Sequence, residues 1–183
     1  MVGGREIRKP AHDSGQRTPG GEVAGAGGEL VVRAARVEDR EGLLALWLDL
    51  VEHHRRLAPE DAPAPSLRSV LSEELARGIA RSRCCVQVAE RAGARVGFVF
   101  AEVESPGRAG EAPPSGWIHE LWVVPEERRR GVAAALVAAA DAFFAARGVT
   151  RVSVRVESAN ADALRYWSRR GFGERARVLE RLT

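Results

Sequence analysis

Cysteine, lysine and tyrosine are the scarce materials of this sequence. Its two cysteines, Cys84 and Cys85, are adjacent in an apolar, strand-like run. Neighbouring strand residues point to opposite faces, which disfavours a bridge between them. No Cys/His spacing reads as a zinc site, so the expectation is two buried thiols and no metal. Lys9 is the only lysine, so positive charge is almost wholly arginine. Arginine suits phosphate recognition through its planar fork, but codon bias gives the same composition. The net charge of +3 does not by itself mark nucleic-acid binding, which needs a contiguous basic face. No apolar run approaches the roughly 20 residues that span a bilayer. An apolar signal segment is missing from the N-terminal stretch, and the expected location is cytoplasmic. Internal repeats are missing too.

What is present fits one domain: 183 residues bury a sizeable core. Residues 1–28, rich in Gly, Pro and charge, are expected to form a disordered extension, leaving 29–183 as the folded part. Leu30 to Ala35 reads as a strand. Asp39 is a candidate N-cap for a helix from Arg40 to Leu57, with Leu43, Leu44, Leu46, Trp47, Leu50 and Val51 on one face. His53 and His54 lie near its C-terminal end, where a protonated imidazole is favourable. A proline loop follows, then a helix from Ser66 to Ala80. Strands at 84–90 and 95–104 join through a short glycine turn, and 105–115 reads as a longer loop. After residue 115 the expected order is strand, helix to Arg147, strand at 149–156, helix at 161–170, and a last strand at 172–182.

The organising stretch runs from Trp117 to Arg147. Ile118, Leu121, Val123 and Val124 form an apolar strand that Pro125 stops. Arg128, Arg129, Arg130 and Gly131 then run into an alanine-rich helix. A helix start offers unbonded N–H groups and the positive end of the dipole to an anion. Cations at that end are unfavourable unless an anion offsets them, and Gly131 admits a ligand close to the backbone. Local chemistry leaves two readings open, an anion site or a solvated basic turn.

Val123-x-Pro125-x-x-Arg128-x-x-Gly131-x-Ala133, set between strand and helix, resembles the acetyl-CoA signature of the GNAT superfamily of N-acetyltransferases. The order β-α-α-β-β-β-α-β-α-β is similar to that superfamily from about Leu30 onward. The resemblance implies an α/β (α+β) fold of three layers, with a mixed central sheet of about six strands flanked by about four helices. It also implies that the strand before the signature and the strand after the helix splay apart, so that the pantetheine arm of acetyl-CoA pairs with exposed backbone. On that footing Leu121, Trp122, Val123 and Val124 would hold the pantetheine and the acetyl carbonyl, with N–H groups near Trp122 and Val123 as an oxyanion hole. Arg128, Arg129, Arg130, Gly131, Val132 and Ala133 would wrap the diphosphate.

The implied activity is an N-acetyltransferase, with acetyl-CoA as cosubstrate and direct attack by a primary amine of a small molecule or peptide. An ammonium group of pKa near 10.4 needs a base. Glu120 is the first candidate and His119 the second, the latter for its near-neutral pKa. Adjacent strand residues face opposite ways, so only one of them points at the substrate unless a β-bulge intervenes. A second stretch, Asn160-x-x-Ala163-x-x-x-Trp167-x-x-x-Gly171-Phe172, is similar to the superfamily's Asn-x-x-Ala-x-x-x-Tyr-x-x-x-Gly-Phe. Asn160, Ala163 and Trp167 would border the cofactor. Trp167 replaces the tyrosine that can protonate the leaving thiolate, and an indole N–H is no acid at useful pH. Tyr166, the only tyrosine, is one position early, about 100° around the helix. It is the remaining candidate acid or else a core aromatic. Trp47, His53, His54 and the loops at 58–66 and 105–115 are expected to shape the acceptor pocket. A homodimer, without nucleic-acid or membrane partners, completes the expectation. Two alternatives stand beside it: an acyl-CoA sensor without turnover, suggested by the missing tyrosine, and a nucleic-acid binder using Arg128 to Arg130 with Arg165, Arg169 and Arg170.

Overall fold

The computed structural model describes residues 28–57, 65–104, 113–179 and 181. Except for Gly28, the expected N-terminal extension lies outside these residues, as do 58–64 and 105–112 of the two expected acceptor loops. The chain folds as β1 (Leu30–Ala34), α1 (Arg40–Leu57), α2 (Leu67–Ala80), β2 (Cys84–Arg91), β3 (Ala94–Glu104), β4 (Ser115–Val123), α3 (Val132–Ala145), β5 (Arg151–Val154) and α4 (Ala161–Ser168). The strands lie in that order across one sheet. The first four are antiparallel neighbours, and β5 runs parallel to β4. The α3 crossover supplies the length that a parallel connection requires.

Each sheet face has its own apolar core, fixed by strand alternation. On one face Phe98, Phe100 and Trp122 pack against Leu43, Leu44, Trp47 and Leu50 of α1 and Leu71 and Leu75 of α2. On the other, Val99, Ala101, Ile118 and Val123 meet Leu136, Val137, Ala140 and Phe144 of α3, with Trp167 of α4. A buried side chain of this size contributes ~2 kcal/mol relative to its exposed state, so α3 is held mainly by this contact. Gly116 sets how closely α3 approaches, because a Cβ there would stand 2.6 Å from the Phe144 ring. The turn between β2 and β3 places both Ala92 and Gly93 at positive φ, the geometry of a two-residue type I′ turn.

Asp39 stands immediately before α1, and its carboxylate bonds to the backbone ahead of it and to two arginines rather than to the helix N–H groups. It accepts from the Arg36 N–H (2.8 Å), Arg33 Nη1 (2.7 Å) and Arg95 Nη2 (2.8 Å), and is only 2% exposed. One buried anion thus ties β1, β3 and the helix start together. Among the described residues the sheet has five strands rather than about six. After Phe172, which packs on Trp167 at 4.9 Å, residues 173–179 join no strand, and Val178 and Leu179 are exposed. Glu174, Arg175 and Arg177 leave that segment little apolar surface to bury against β5.

Candidate active site

A divergence between two parallel strands opens the site. β4 and β5 pair only from Ser115 with Arg151 to Ile118 with Val154. Beyond Ile118, β4 continues to Val123 while β5 has ended, two residues before the expected boundary. The N–H of Val124 bonds to the Val96 carbonyl on the β3 side (3.0 Å). Because backbone groups alternate edges along a strand, Leu121 and Val123 turn theirs toward the gap. The Trp122 carbonyl faces β3, 2.6 Å from where a Cβ on Gly97 would stand. The backbone donors facing the gap therefore belong to Leu121 and Val123. Arg128 Nε already uses one of these groups, donating to the Val123 carbonyl at 3.1 Å with its guanidinium 4.7 Å above the Trp122 ring. The resulting cleft is about 1060 Å³ and runs from His53 and Glu120 to the start of α3 and along α4.

A β-bulge decides which side chains reach the acceptor side. Phe100 pairs with Glu120 and Ala101 with Ile118, leaving His119 as an extra residue in β4. The usual alternation would send His119 and Glu120 to opposite faces. The bulge instead brings both to the α1–α2 side. His119 lies against Phe100 (5.7 Å) and Trp117 (6.4 Å), with Nε2 3.5 Å from Glu102 Oε2. Glu102 is itself paired with Arg83 at 2.8 Å. Glu120 is half-buried, and its pKa is pushed up to about 7, first by burial and then by the Glu74 charge, with a hydrogen bond from Trp47 working against the rise. A carboxylic acid that titrates near neutrality is suited to taking up and releasing a proton. Glu74, on α2, was invisible in the sequence because its effect depends on packing across the sheet face.

The anion end is built by backbone conformation. Pro125–Glu127 forms a single 3-10 turn. Arg129 at φ +60° and Gly131 at φ +84° then fold the chain into α3. Left-handed residues in such a turn direct neighbouring N–H groups to one side, as in an anion nest. Gly131 caps α3, and the space where its Cβ would stand is open to 4 Å. The helix therefore starts after the arginines, and its first N–H groups lack intrahelical acceptors. Beneath the nest Glu127 accepts from Arg91 Nε (2.8 Å) and Arg130 Nη1 (2.7 Å). Val132 and Ala133 line the cleft with Arg128, Arg129 and Gly131.

α4 closes the far wall. Asn160 caps it, its Oδ1 accepting from the Ala163 N–H at 3.0 Å, and both residues line the cleft. Trp167 is buried between Tyr166 (5.1 Å) and Phe172 (4.9 Å). The Tyr166 ring also borders the cleft, with Arg170 5.0 Å from its centroid. Its hydroxyl is buried and makes no well-formed hydrogen bond among the described residues, and burial raises its pKa. His53 and His54 border the cleft as well, with His53 5.3 Å from the Trp122 ring. Their pKa values are lowered, in both cases chiefly by burial. Desolvation here outweighs the helix-end effect that favours the imidazolium.

With this geometry in view, the profile of the acetyltransferase (GNAT) family matches residues 47–172, more than half of the chain. The chain belongs to the GNAT family. The GNAT match spans the bulge, the nest and the cap of α4. The chain is 36% identical over 85 residues to a mycothiol acetyltransferase of Thermobispora bispora, covering 46% of this chain and 28% of that protein. It thus spans less than a third of that relative's length. The GNAT fold is shared with the aminoglycoside N-acetyltransferase AAC(6')-Iy in complex with CoA, at TM-score 0.66, 19% identity, and coverage of 86% of this chain and 96% of the other. AAC(6')-Ih of Acinetobacter baumannii gives 0.64 and 18%, covering 85% and 98%. A transcriptional regulator of Bacillus halodurans gives 0.68 and 18%, covering 85% and 100%. Among the described residues no helix is long and apolar enough to cross a membrane.

Proposed function

We propose that the protein transfers the acetyl group of acetyl-CoA to a primary amine by direct attack. The observation that carries this reading is the position of Glu120, titrating near neutrality, beside the unpaired edge of β4. The open edge suits an extended amide chain that adds as a strand, and the nest with Gly131 suits a diphosphate. Bound acetyl-CoA supplies the activated thioester. Leu121 and Val123 direct backbone hydrogen bonds toward it, while Arg129 to Ala133 hold its phosphates.

Glu120 takes the proton of the incoming ammonium, directly or through one water, and the freed amine attacks the thioester carbonyl. His119, on the same face through the bulge, is the second candidate base, its imidazole beside Glu102. The departing thiol has an ordinary pKa near 8.5, so hydrogen bonding or water suffices at the sulfur. Tyr166, protonated and bordering the cleft, is the candidate donor. A near-neutral carboxylate favours turnover over an acyl-CoA sensor, which needs no base.

Small-molecule acceptors are supported by the fold neighbours named as aminoglycoside acetyltransferases. Free thiols at Cys84 and Cys85 suit a reducing, cytoplasmic setting. The open outer edge of β5, followed by exposed Val178 and Leu179, favours a homodimer. The test is release of free thiol from acetyl-CoA across a panel of amines. Release dependent on both acetyl-CoA and an amine supports the reading; tight CoA binding without turnover on any amine would favour the sensor.

A further inference from the structure

The diphosphate nest is anchored from outside the family signature. Glu127 carries a negative charge immediately before a loop read as binding phosphates, where a carboxylate works against the ligand. Its geometry explains its presence. Oε2 accepts from Arg91 Nε at 2.8 Å and Oε1 from Arg130 Nη1 at 2.7 Å. The Glu127 and Arg91 side chains are only 12% and 14% exposed, an unusual degree of burial for an ion pair unless the position is built for it. Arg91 ends β2, and its Nη1 donates to the Gly28 carbonyl at 2.8 Å, ahead of β1. The guanidinium therefore clasps the signature loop to the end of the β2–β3 hairpin and to the chain entering the sheet.

We propose that Arg91 is a positioning residue for acetyl-CoA: through Glu127 it fixes the nest that receives the diphosphate. The loop needs such a brace. Arg129 sits at φ +60°, a conformation that non-glycine residues hold only when their surroundings impose it. Glu127 to Gly131 include no apolar side chain to anchor the loop, so it is held by polar contacts, with Arg128 fixed at Val123 on one side and Glu127 on the other. The clasp does that work and also neutralises Glu127, so that the field at the nest stays favourable to phosphate. The inference rests on the acetyl-CoA reading above and adds a residue 36 positions upstream.

The test compares two thioesters, acetyl-CoA and acetyl-pantetheine, the second lacking the diphosphate. Arg91→Ala is expected to raise KM for acetyl-CoA about tenfold, the scale of losing a charge-assisted bond to a half-buried group, with kcat unchanged. Its kinetics with acetyl-pantetheine are expected to match the parent protein. Arg91→Gln, which retains bulk and one donor, should fall between and guards against a folding defect in the alanine variant. Equal losses with both thioesters would make Arg91 merely structural and overturn the proposal, as would an unchanged KM for acetyl-CoA in a folded variant. A parent protein that neither binds CoA nor releases thiol would instead sink the acetyltransferase reading itself, and the clasp with it.

Discussion

Replacing Glu120 by glutamine separates the chemistry of the site from its stability. The substitution keeps shape and removes the titrating oxygen. In the parent protein, the carboxyl titrates near 7 because burial and Glu74 disfavour its charge. The base is the ionised form, so kcat/KM should fall about tenfold per pH unit below 7. An ordinary glutamate near 4.3 would hold its plateau down to about pH 5. Without the base, only amine already free in solution reacts. For an amine of pKa 10.4 that is roughly one part in 250 at pH 8 and about a third at pH 10. The Glu120→Gln deficit should therefore be about 200-fold at pH 8, larger still at pH 7, and shrink to a few-fold near pH 10.

The same shift has a signature of opposite sign in stability. Glu120 has a folded pKa above its unfolded value of 4.5, so its favourable contribution is present at low pH. That contribution is lost as pH rises through 7. A rise from 4.5 to about 7 corresponds to ~3 kcal/mol at full burial, and ~1–3 kcal/mol is expected for a half-buried group. Glutamine escapes this cost above pH 7. At pH 8 the variant should melt several degrees higher, at ~2–4 °C per kcal/mol for a chain of this size, and at pH 5 the two should coincide. Thiol-release assays and thermal melts on the same samples read both quantities. A rate deficit constant across pH, with a melting difference equally constant, would refute the assignment of Glu120 as a desolvated base and direct attention to His119.

Two further substitutions test the anion end and the frame. Gly131→Glu should abolish CoA binding in calorimetry while circular dichroism shows an intact fold. The site of its Cβ is open and the positive φ costs ~1–2 kcal/mol, but a carboxylate would stand where the phosphates sit; micromolar binding by the variant would contradict this. Asp39→Asn should destabilise by ~1–3 kcal/mol in urea titrations at pH 7, because Arg95 loses its carboxylate and Arg33 keeps only Glu90. The Arg33 guanidinium holds Asp39 well below the usual carboxylate range. Its contribution is therefore present above about pH 4 and lost as pH falls further, so the variant should lack that part of the parent's acid-induced loss.

Much of the fold was legible because it is local. The three-and-four spacing of Leu43, Leu44, Trp47 and Leu50 gave α1 its bounds, Arg40 to Leu57. Gly148 and Gly171, at φ +68° and +85°, follow α3 and α4, where a left-handed residue ends a helix. What escaped reading depends on partners distant in sequence. The end of β5 at Val154 is set by where β4 ceases to accompany it, so the expected strand at 149–156 extends past it. The bulge at His119 exists only in register with Phe100 and Ala101, and without it Glu120 and His119 looked mutually exclusive. Position near a helix end favours the imidazolium of His53 and His54, whereas burial, which the sequence does not display, dominates them. The expected last strand at 172–182 does not form over 173–179, where Glu174, Arg175 and Arg177 leave little apolar surface to bury.

The central claim is that a thioester lies along the open edge of β4 with its diphosphate at the start of α3. A crystal structure with acetyl-CoA tests it most directly. The account predicts pantetheine amides bonded to the Leu121 and Val123 backbone, phosphates on the amides of residues 129–133, and the acetyl carbon facing Glu120. Acetyl-CoA bound elsewhere, or with its acetyl group turned away from the α1–α2 face, would contradict it.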